Sequence, residues 1–126
     1  MSDVIERGFR FKQWDIYTDS RELRKKLIAT IHRLPLTEKF VIVDQTKRAL
    51  NSILLNIAEG SNKTTDKDRR LYINRAHGSL DEVVSCLDCM LDDGYINETE
   101  YNNFVMQADS LAKRLRGFSN HLSSPT

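Results

Sequence analysis

The spacing of hydrophobic positions along the chain predicts helices packed side by side. Apolar residues recur at alternating steps of three and four, the period of a helical bundle seam. The last segment shows this most cleanly, with apolar positions at Tyr101, Phe104, Ala108, Leu111, Leu115, Phe118 and Leu122. Similar stripes run through three earlier segments. The pattern predicts four helices, at about residues 14–33, 37–59, 65–93 and 97–122.

Local signals at the ends of these segments support the same division. Asn97 followed by Glu100 is a capping-box-like start for the fourth helix, and Gly94 ends the third. Thr65 is a suitable N-cap for the third helix. Because short connections make antiparallel neighbours the economical topology, we expect an all-α, up-down-up-down antiparallel four-helix bundle. Residues 1–126 are expected to form this single domain.

The composition agrees with a helical domain and excludes several other classes. Hydrophobic residues make up 40% of the chain and charged residues 29%, with five Gly and two Pro, which argues against disorder or a many-turned β fold. No apolar run approaches the roughly 20 residues needed to span a bilayer, and the N-terminus lacks the apolar stretch of a signal peptide. We therefore expect a cytoplasmic protein with no membrane partner. The net charge of +1 excludes the strongly basic balance of a typical DNA-binding domain.

The second and third predicted helices carry polar residues where a bundle seam is usually apolar. The row on the second helix is Gln45, Arg48, Ser52, Asn56 and Glu59, and the row on the third is Tyr72, Arg75, Ser79 and Glu82. Each row follows steps of three and four, so its members share one helix face. Opposed residues of an antiparallel pair have numbers that add to a constant, and a sum near 131 pairs Ser52 with Ser79, Asn56 with Arg75, Glu59 with Tyr72 and Arg48 with Glu82.

Three explanations of these rows stay open. They form a polar network that fixes helix register or a subunit interface, they form a ligand or catalytic site, or they are a solvated face. Gly78 lies within the third predicted helix, at a cost of about 1 kcal/mol relative to Ala. We expect a close helix approach at this glycine to offset that cost.

The same two helices carry motifs that resemble a known family. The residues are Gln45, Arg48, Ala49, Ser52, Ile53, Asn56 and Ile57-Ala58-Glu59-Gly60, then Tyr72, Arg75, Ala76, Gly78-Ser79-Leu80 and Glu82, and finally Gly94-Tyr95-Ile96. Together they resemble the 23S rRNA intervening-sequence proteins, from about Phe11 to Leu122. The resemblance implies a bacterial four-helix bundle that assembles into a homopentamer. That family is similar to the accessory proteins of diversity-generating retroelements, pentameric bundles with a basic surface that act with a reverse transcriptase and nucleic acid.

No group of residues indicates catalysis. Cys86 and Cys89 form a C-x-x-C pattern, but it lies inside a predicted helix without a second ligand pair, which favours packing over metal or redox chemistry. The three histidines, His32, His77 and His121, are scattered, and no face combines an acid, a base and a nucleophile. We expect no enzymatic activity, no cofactor and no bound metal.

Charges are predicted to separate toward the two ends of the bundle. One end, which we call the basic pole, collects Arg7, Arg10, Lys12, Lys63, Lys67, Arg69, Arg70, Lys113, Arg114 and Arg116. The opposite end collects Asp88, Asp92, Asp93, Glu98 and Glu100. The nearly neutral chain is therefore expected to be a charge dipole.

Seven residues of the basic pole are the predicted nucleic-acid-binding residues: Lys63, Lys67, Arg69, Arg70, Lys113, Arg114 and Arg116. In a ring, one pole of every subunit faces the same way, so the assembly presents a surface for several phosphates of RNA or DNA. Charge kept for solubility alone is the simpler explanation. The alternative function is a protein scaffold, for which the first helix offers Arg21, Arg24, Lys25 and Lys26.

Overall fold

The structure, a computed structural model, describes residues 8–35 and 40–123. Regular structure in these ranges is entirely helical. A short 3-10 helix, Arg10–Gln13, is followed by α1 (Asp15–His32), α2 (Phe40–Ser61), α3 (Asp66–Asp92) and α4 (Glu98–Ser123). The prediction of an all-α chain with four helices is confirmed. The predicted start of the second helix, at Thr37, lies outside the described residues.

The predicted caps of α3 and α4 are formed. Thr65 Oγ1 accepts the backbone N–H of Asp68 at 3.2 Å. Asn97 Oδ1 accepts the N–H of Glu100 at 2.8 Å, and Glu100 Oε1 accepts the N–H of Asn97 at 3.2 Å, a reciprocal capping box. Gly94 has a φ of 76°, the left-handed conformation in which glycine ends a helix without steric cost. These boundaries follow from local sequence.

The core follows the hydrophobic stripes of the sequence. Its largest fully buried side chains include Leu23, Leu27 and Ile31 of α1, Leu50, Ile53 and Ile57 of α2, Ile73, Leu80, Leu87 and Met90 of α3, and Leu111 and Leu115 of α4. Burying one such side chain contributes roughly 1.5–3 kcal/mol, so the four stripes together hold the helices in place. Within the two described ranges, no helix combines the length and apolar character needed to cross a membrane.

α2 and α3 approach each other closely at Gly60. A Cβ added there would lie 2.9 Å from Tyr72 Cβ, so only glycine fits without a shift. Further along, Ser52 Oγ and Ser79 Oγ are 2.7 Å apart. Residue numbers therefore rise on one helix as they fall on the other, which is compatible with the expected antiparallel pair. The prediction of a close approach at Gly78 is wrong, since a Cβ added there would meet no atom within 4 Å beyond its own stretch of helix.

α4 is joined to both of its neighbours by polar contacts. These are Tyr101 Oη donating to Asp88, Ser119 Oγ donating to Asn74, and the ion pairs of Arg114 with Asp19 and of Arg33 with Glu100. In each helix pair the numbers again run in opposite senses. The contacts are compatible with an up-down bundle in which α1 and α3 flank α4.

Candidate nucleic-acid interface

The helix ends that were expected at the basic pole meet around one cavity. The end of α2, the start of α3, the end of α4 and the 3-10 helix enclose about 340 Å³, which we call the pole pocket. Its lining consists of Arg10, Phe11, Trp14, Gly60, Ser61, Arg69, Ile73, Phe118 and Leu122. The predicted pole residue Arg7 lies outside the described residues.

Four of the seven predicted nucleic-acid-binding residues form ion pairs. The pairs are Lys63 with Glu59 at 3.2 Å, Arg69 with Asp66 at 2.7 Å, Lys113 with Asp109 at 3.0 Å, and Arg114 with Asp15 at 3.3 Å and Asp19 at 3.1 Å. An exposed pair contributes only about 0–1 kcal/mol, so a cation with one carboxylate partner exchanges it readily for a phosphate. Arg114, held between two carboxylates, is the least available of the four.

The other three predicted residues keep an uncompensated positive charge. Within residues 8–35 and 40–123, Lys67 and Arg70 form neither an ion pair nor a hydrogen bond, and both lie in the first turns of α3. In the same ranges Arg116, on α4, forms no ion pair, and its one polar contact is with the ring of His77, with 3.4 Å between Nη2 and Nε2. These three cations are the strongest phosphate contacts that the pole offers.

Tyr72 forms a platform for two cations at the edge of the pole. Lys63 Nζ lies 4.9 Å and Arg75 Cζ 4.8 Å from the centroid of its ring, within the range of a cation–π contact. The hydrogen bond from Lys63 to Glu59 raises the pKa of Lys63. Lys63 Nζ thus contacts both Glu59 and the ring of Tyr72, two residues that the register sum places opposite each other.

The centre of the polar rows forms a continuous hydrogen-bond chain. Asn56 Nδ2 donates to Ser52 Oγ at 3.1 Å and to the Ser52 carbonyl at 2.8 Å. Ser52 Oγ is bonded to Ser79 Oγ, which donates to the carbonyl of Arg75 at 3.1 Å. Ser79 is buried, and Ser52 and Asn56 are partly buried. This chain joins α2 to α3 at the register that the sequence predicted for the two serines.

Other members of the polar rows are exposed instead. Arg48 Nε lies 3.3 Å from Asp44 of its own helix and forms its ion pair there, although Arg48 and Glu82 line the same depression between α2 and α3. Asn56 likewise bonds Ser52 in place of Arg75. The rows therefore face the neighbouring helix at the two serines and at Tyr72, which packs against Gly60, and turn away from it elsewhere. Four exposed row members together with the exposed Gly78 form what we call the outer face of α2 and α3: Gln45, Arg48, Arg75, Gly78 and Glu82.

A larger groove separates α1 from α2. It encloses about 760 Å³ and is lined by the predicted scaffold residues Arg21, Arg24 and Lys25, above Leu54 and Leu55. The fourth predicted scaffold residue, Lys26, does not line it. Lys26 instead pairs with Glu22 at 3.6 Å and borders a surface depression between α1 and α4.

In the part of the chain that the structure describes, no three His, Cys, Asp or Glu side chains are grouped to hold a metal ion. Of the two cysteines, Cys89 is exposed, whereas burial raises the pKa of the partly buried Cys86 thiol. The C-x-x-C pattern thus places its two thiols in different environments.

Sequence reasoning missed the aromatic wall of the pole pocket. Trp14 and Phe118 are far apart in sequence, yet their ring centroids lie 4.8 Å apart. A local signal was present, because Phe9, Phe11 and Trp14 are interleaved with basic residues in one short segment. Such interleaving is typical of surfaces that bind single-stranded nucleic acids.

Comparison with known proteins places the chain in a family. The family model described as 23S rRNA-intervening sequence protein matches residues 12–117, which include most of all four helices. The comparison with curated proteins finds no match. Since the family model matches well over half of the sequence, the chain belongs to the family of 23S rRNA-intervening sequence proteins.

Proposed function

We propose that this protein is a non-catalytic accessory protein that binds RNA or DNA through its basic pole, as part of a ribonucleoprotein. The observation that carries the proposal is the position of Lys67, Arg70 and Arg116, three uncompensated cations at the end of the molecule where the helix termini meet. The family's description names 23S rRNA, which supports an RNA-related role.

Binding at the pole is expected to depend on phosphates more than on base sequence. Cations that contact phosphates release condensed counterions, so affinity falls steeply with salt. Lys63, Arg69 and Lys113 each have a single exposed carboxylate partner and join the uncompensated cations when a phosphate approaches. Arg114 contributes less, because two aspartates hold it.

The proposal includes a ring of up-down-up-down bundles, in the form of a homopentamer, built on the outer face of α2 and α3. Gly78 supports this assignment. It is exposed, a Cβ added there would meet no atom within 4 Å beyond its own stretch of helix in the described part of the chain, and it incurs a helix-propensity cost of about 1 kcal/mol. A neighbouring copy packed at this glycine would offset the cost. Leu71 is 45% exposed and continues the same face toward the pole. A ring would repeat the basic pole and raise its avidity.

The remaining features of the proposal have two sources. Bacterial origin and relatedness to the accessory proteins of diversity-generating retroelements follow from the family resemblance, whereas a single domain and residence in the cytoplasm are the expectations from length and composition. A reverse transcriptase gene beside this one would support that relationship.

Salt-titrated binding to single- and double-stranded RNA and DNA tests the function. Neutralising Lys67 and Arg70 to glutamine is expected to lower affinity at low salt about tenfold and to reduce the salt slope by roughly two, near one for each lost phosphate contact. The matched control neutralises Lys26 and Arg33, which also removes two positive charges but lies away from the pole. Failure of the unaltered protein to bind at low salt, or equal losses in both variants, would refute the proposal.

A second function, protein scaffolding, is favoured by the groove between α1 and α2. Three cations stand around it, and Leu55 is 67% exposed beside it, a combination suited to an acidic partner with apolar side chains. Leu55→Glu is expected to abolish capture of such a partner while leaving nucleic-acid binding unchanged. Loss of nucleic-acid binding in this variant would instead assign the groove to the nucleic acid.

A further inference from the structure

The pole pocket has an aromatic wall that the phosphate contacts of the pole do not require. Trp14 and Phe118 pack with an interplanar angle of 44°, and Phe11 completes the wall. All three rings are partly exposed, so they present faces to a ligand as well as to the core. Flat apolar faces of this kind stack on planar rings.

Two guanidinium groups stand beside this wall. Arg10 and Arg69 both line the pocket, and Arg69 is oriented by Asp66, with 2.7 Å between Nη1 and Oδ1. The volume of about 340 Å³ lies at the lower end of the range for small-ligand pockets, about 300–1,000 Å³. The pocket therefore combines an aromatic surface, positive charge and a size suited to one small planar group.

This combination selects a narrow chemical class. An inorganic anion would bind the arginines without contacting the aromatic wall, whereas an uncharged apolar ligand would contact the wall without binding the arginines. A nucleotide uses both, with its base on the aromatic rings and its phosphate on a guanidinium. Bases within a duplex are already stacked, so the matching form is an unpaired one.

We propose that the pole pocket receives one unpaired nucleobase of a single-stranded nucleic acid, stacked on Trp14, with the adjoining phosphate bound by Arg69. This inference rests on the proposed function and makes it more specific, because it predicts a preference for single strands. The uncompensated cations Lys67 and Arg70 lie on the same first turns of α3 as Arg69 and extend the phosphate contacts beyond the pocket.

Trp14 is the only tryptophan of the sequence, so its fluorescence reports directly on the pocket. We would titrate the full chain with a single-stranded oligonucleotide and with an abasic oligonucleotide of the same length and charge. The base-containing strand is expected to quench the fluorescence and to bind about tenfold more tightly, as loss of one stacked base predicts. Adenosine monophosphate is expected to quench, and ribose 5-phosphate is not.

A substitution that keeps the fluorophore tests the phosphate contact. Arg69→Gln, at a partly exposed position, is expected to weaken binding of the base-containing strand several-fold while the fluorescence of the free protein stays unchanged. The matched control is Arg33→Gln. Arg33 also has a single carboxylate partner, Glu100, but it lies at the end of α1 that is far from the pole pocket. Equal losses in the two variants would overturn the assignment of Arg69.

The outcomes separate this inference from the function on which it rests. If base-containing and abasic strands bind equally and neither changes the fluorescence, the pocket is not a base site, and the proposed function stands. If duplexes quench as strongly as single strands, the preference for an unpaired base is refuted. If no nucleic acid binds at low salt, both the function and the inference fail.

Discussion

The two sides of α2 meet their neighbours in different ways. Toward α3, α2 makes a glycine-mediated close approach at Gly60 and a partly buried serine pair, Ser52 and Ser79, so the two helices pack closely along this stretch. A depression of about 490 Å³ lies between them nearer the start of α2, beside Arg48 and Glu82. Toward α1, α2 borders a groove of about 760 Å³, crossed by a hydrogen bond from Arg24 to Asn51 at 2.8 Å. The same helix therefore contributes a closely packed stretch from Ser52 to Gly60 on one side and a recessed surface on the other.

This difference indicates where stability is concentrated. Close packing gains dispersion contacts and excludes water, whereas an exposed hydrogen bond across a groove competes with water for both partners. We expect substitutions on the α3 side to cost far more than substitutions on the α1 side. Residues that line the groove can consequently be substituted, or can contact a binding partner, with little loss in the free energy of unfolding.

Gly60→Ala is the largest test of the close seam. The new Cβ would lie 2.9 Å from Tyr72 Cβ and 3.4 Å from the Arg69 carbonyl, neither of which is the end of a flexible side chain. We expect a loss of about 1–3 kcal/mol in the free energy of unfolding, measured by urea denaturation.

Gly117→Ala is the matched control for Gly60→Ala. Gly117 is also within a helix, but an added Cβ there would meet nothing within 4 Å. We expect this change to raise stability by up to about 1 kcal/mol through helix propensity. A Gly60→Ala protein as stable as the Gly117→Ala protein would show that α2 and α3 separate without cost.

Ser52→Ala is the second test of the seam, with a smaller expected effect. It removes the middle of the hydrogen-bond chain and leaves Ser79 and Asn56 each without one partner. We expect a loss of about 1 kcal/mol. Because Ser79 keeps its bond to the Arg75 carbonyl, the double variant with Ser79→Ala should cost less than the sum of the single variants. Simple additivity in this cycle would contradict a coupled pair.

How far the sequence predicts this seam depends on the range of the interactions. Caps such as Asn97 with Glu100 were predictable because both partners lie within one turn. The serine pair was predictable because a single register sum fixes the centre of an antiparallel row. The glycine contact was assigned to the wrong residue, Gly78 in place of Gly60, because the site of closest approach depends on how the two helix axes cross.

In the candidate site, too, features set by local sequence or topology could be predicted, and features set by long-range contacts could not. The cations of the basic pole could be named from topology, since helix termini at one end of a bundle must be neighbours. Three of their ion pairs join residues three or four positions apart and could be named in the same way. The partners of Arg114, Asp15 and Asp19, could not, because they belong to a helix distant in sequence. The pole pocket was missed for a related reason. It exists only once Trp14 and Phe118 are brought together by the fold.

The reactivity of the Cys86 thiol tests whether the side of α3 that faces α2 is shielded from solvent. Burial raises its pKa in the folded protein, so the folded state resists ionisation of this group more than the unfolded state does. The contribution of this thiol to the free energy of unfolding is therefore fully present below the ordinary thiol pKa. It is lost as pH rises through the pKa that the thiol has in the folded protein. We expect iodoacetamide to alkylate the exposed Cys89 before Cys86 near pH 8, as measured by peptide mass spectrometry. Equal rates would show that the α2 side of α3 is open to solvent.

The smallest effect is expected where α1 faces α2 across the groove. Arg24→Ala and Asn51→Ala each remove the hydrogen bond that crosses it, but both side chains retain access to water. We expect each change to alter the free energy of unfolding by less than about 0.5 kcal/mol, with a coupling in the double variant that is equally small. A coupling near that of the serine pair would remove the distinction between the two sides of α2. A small value would instead show that the groove's polar contacts can be exchanged for those of a partner at little cost to the fold.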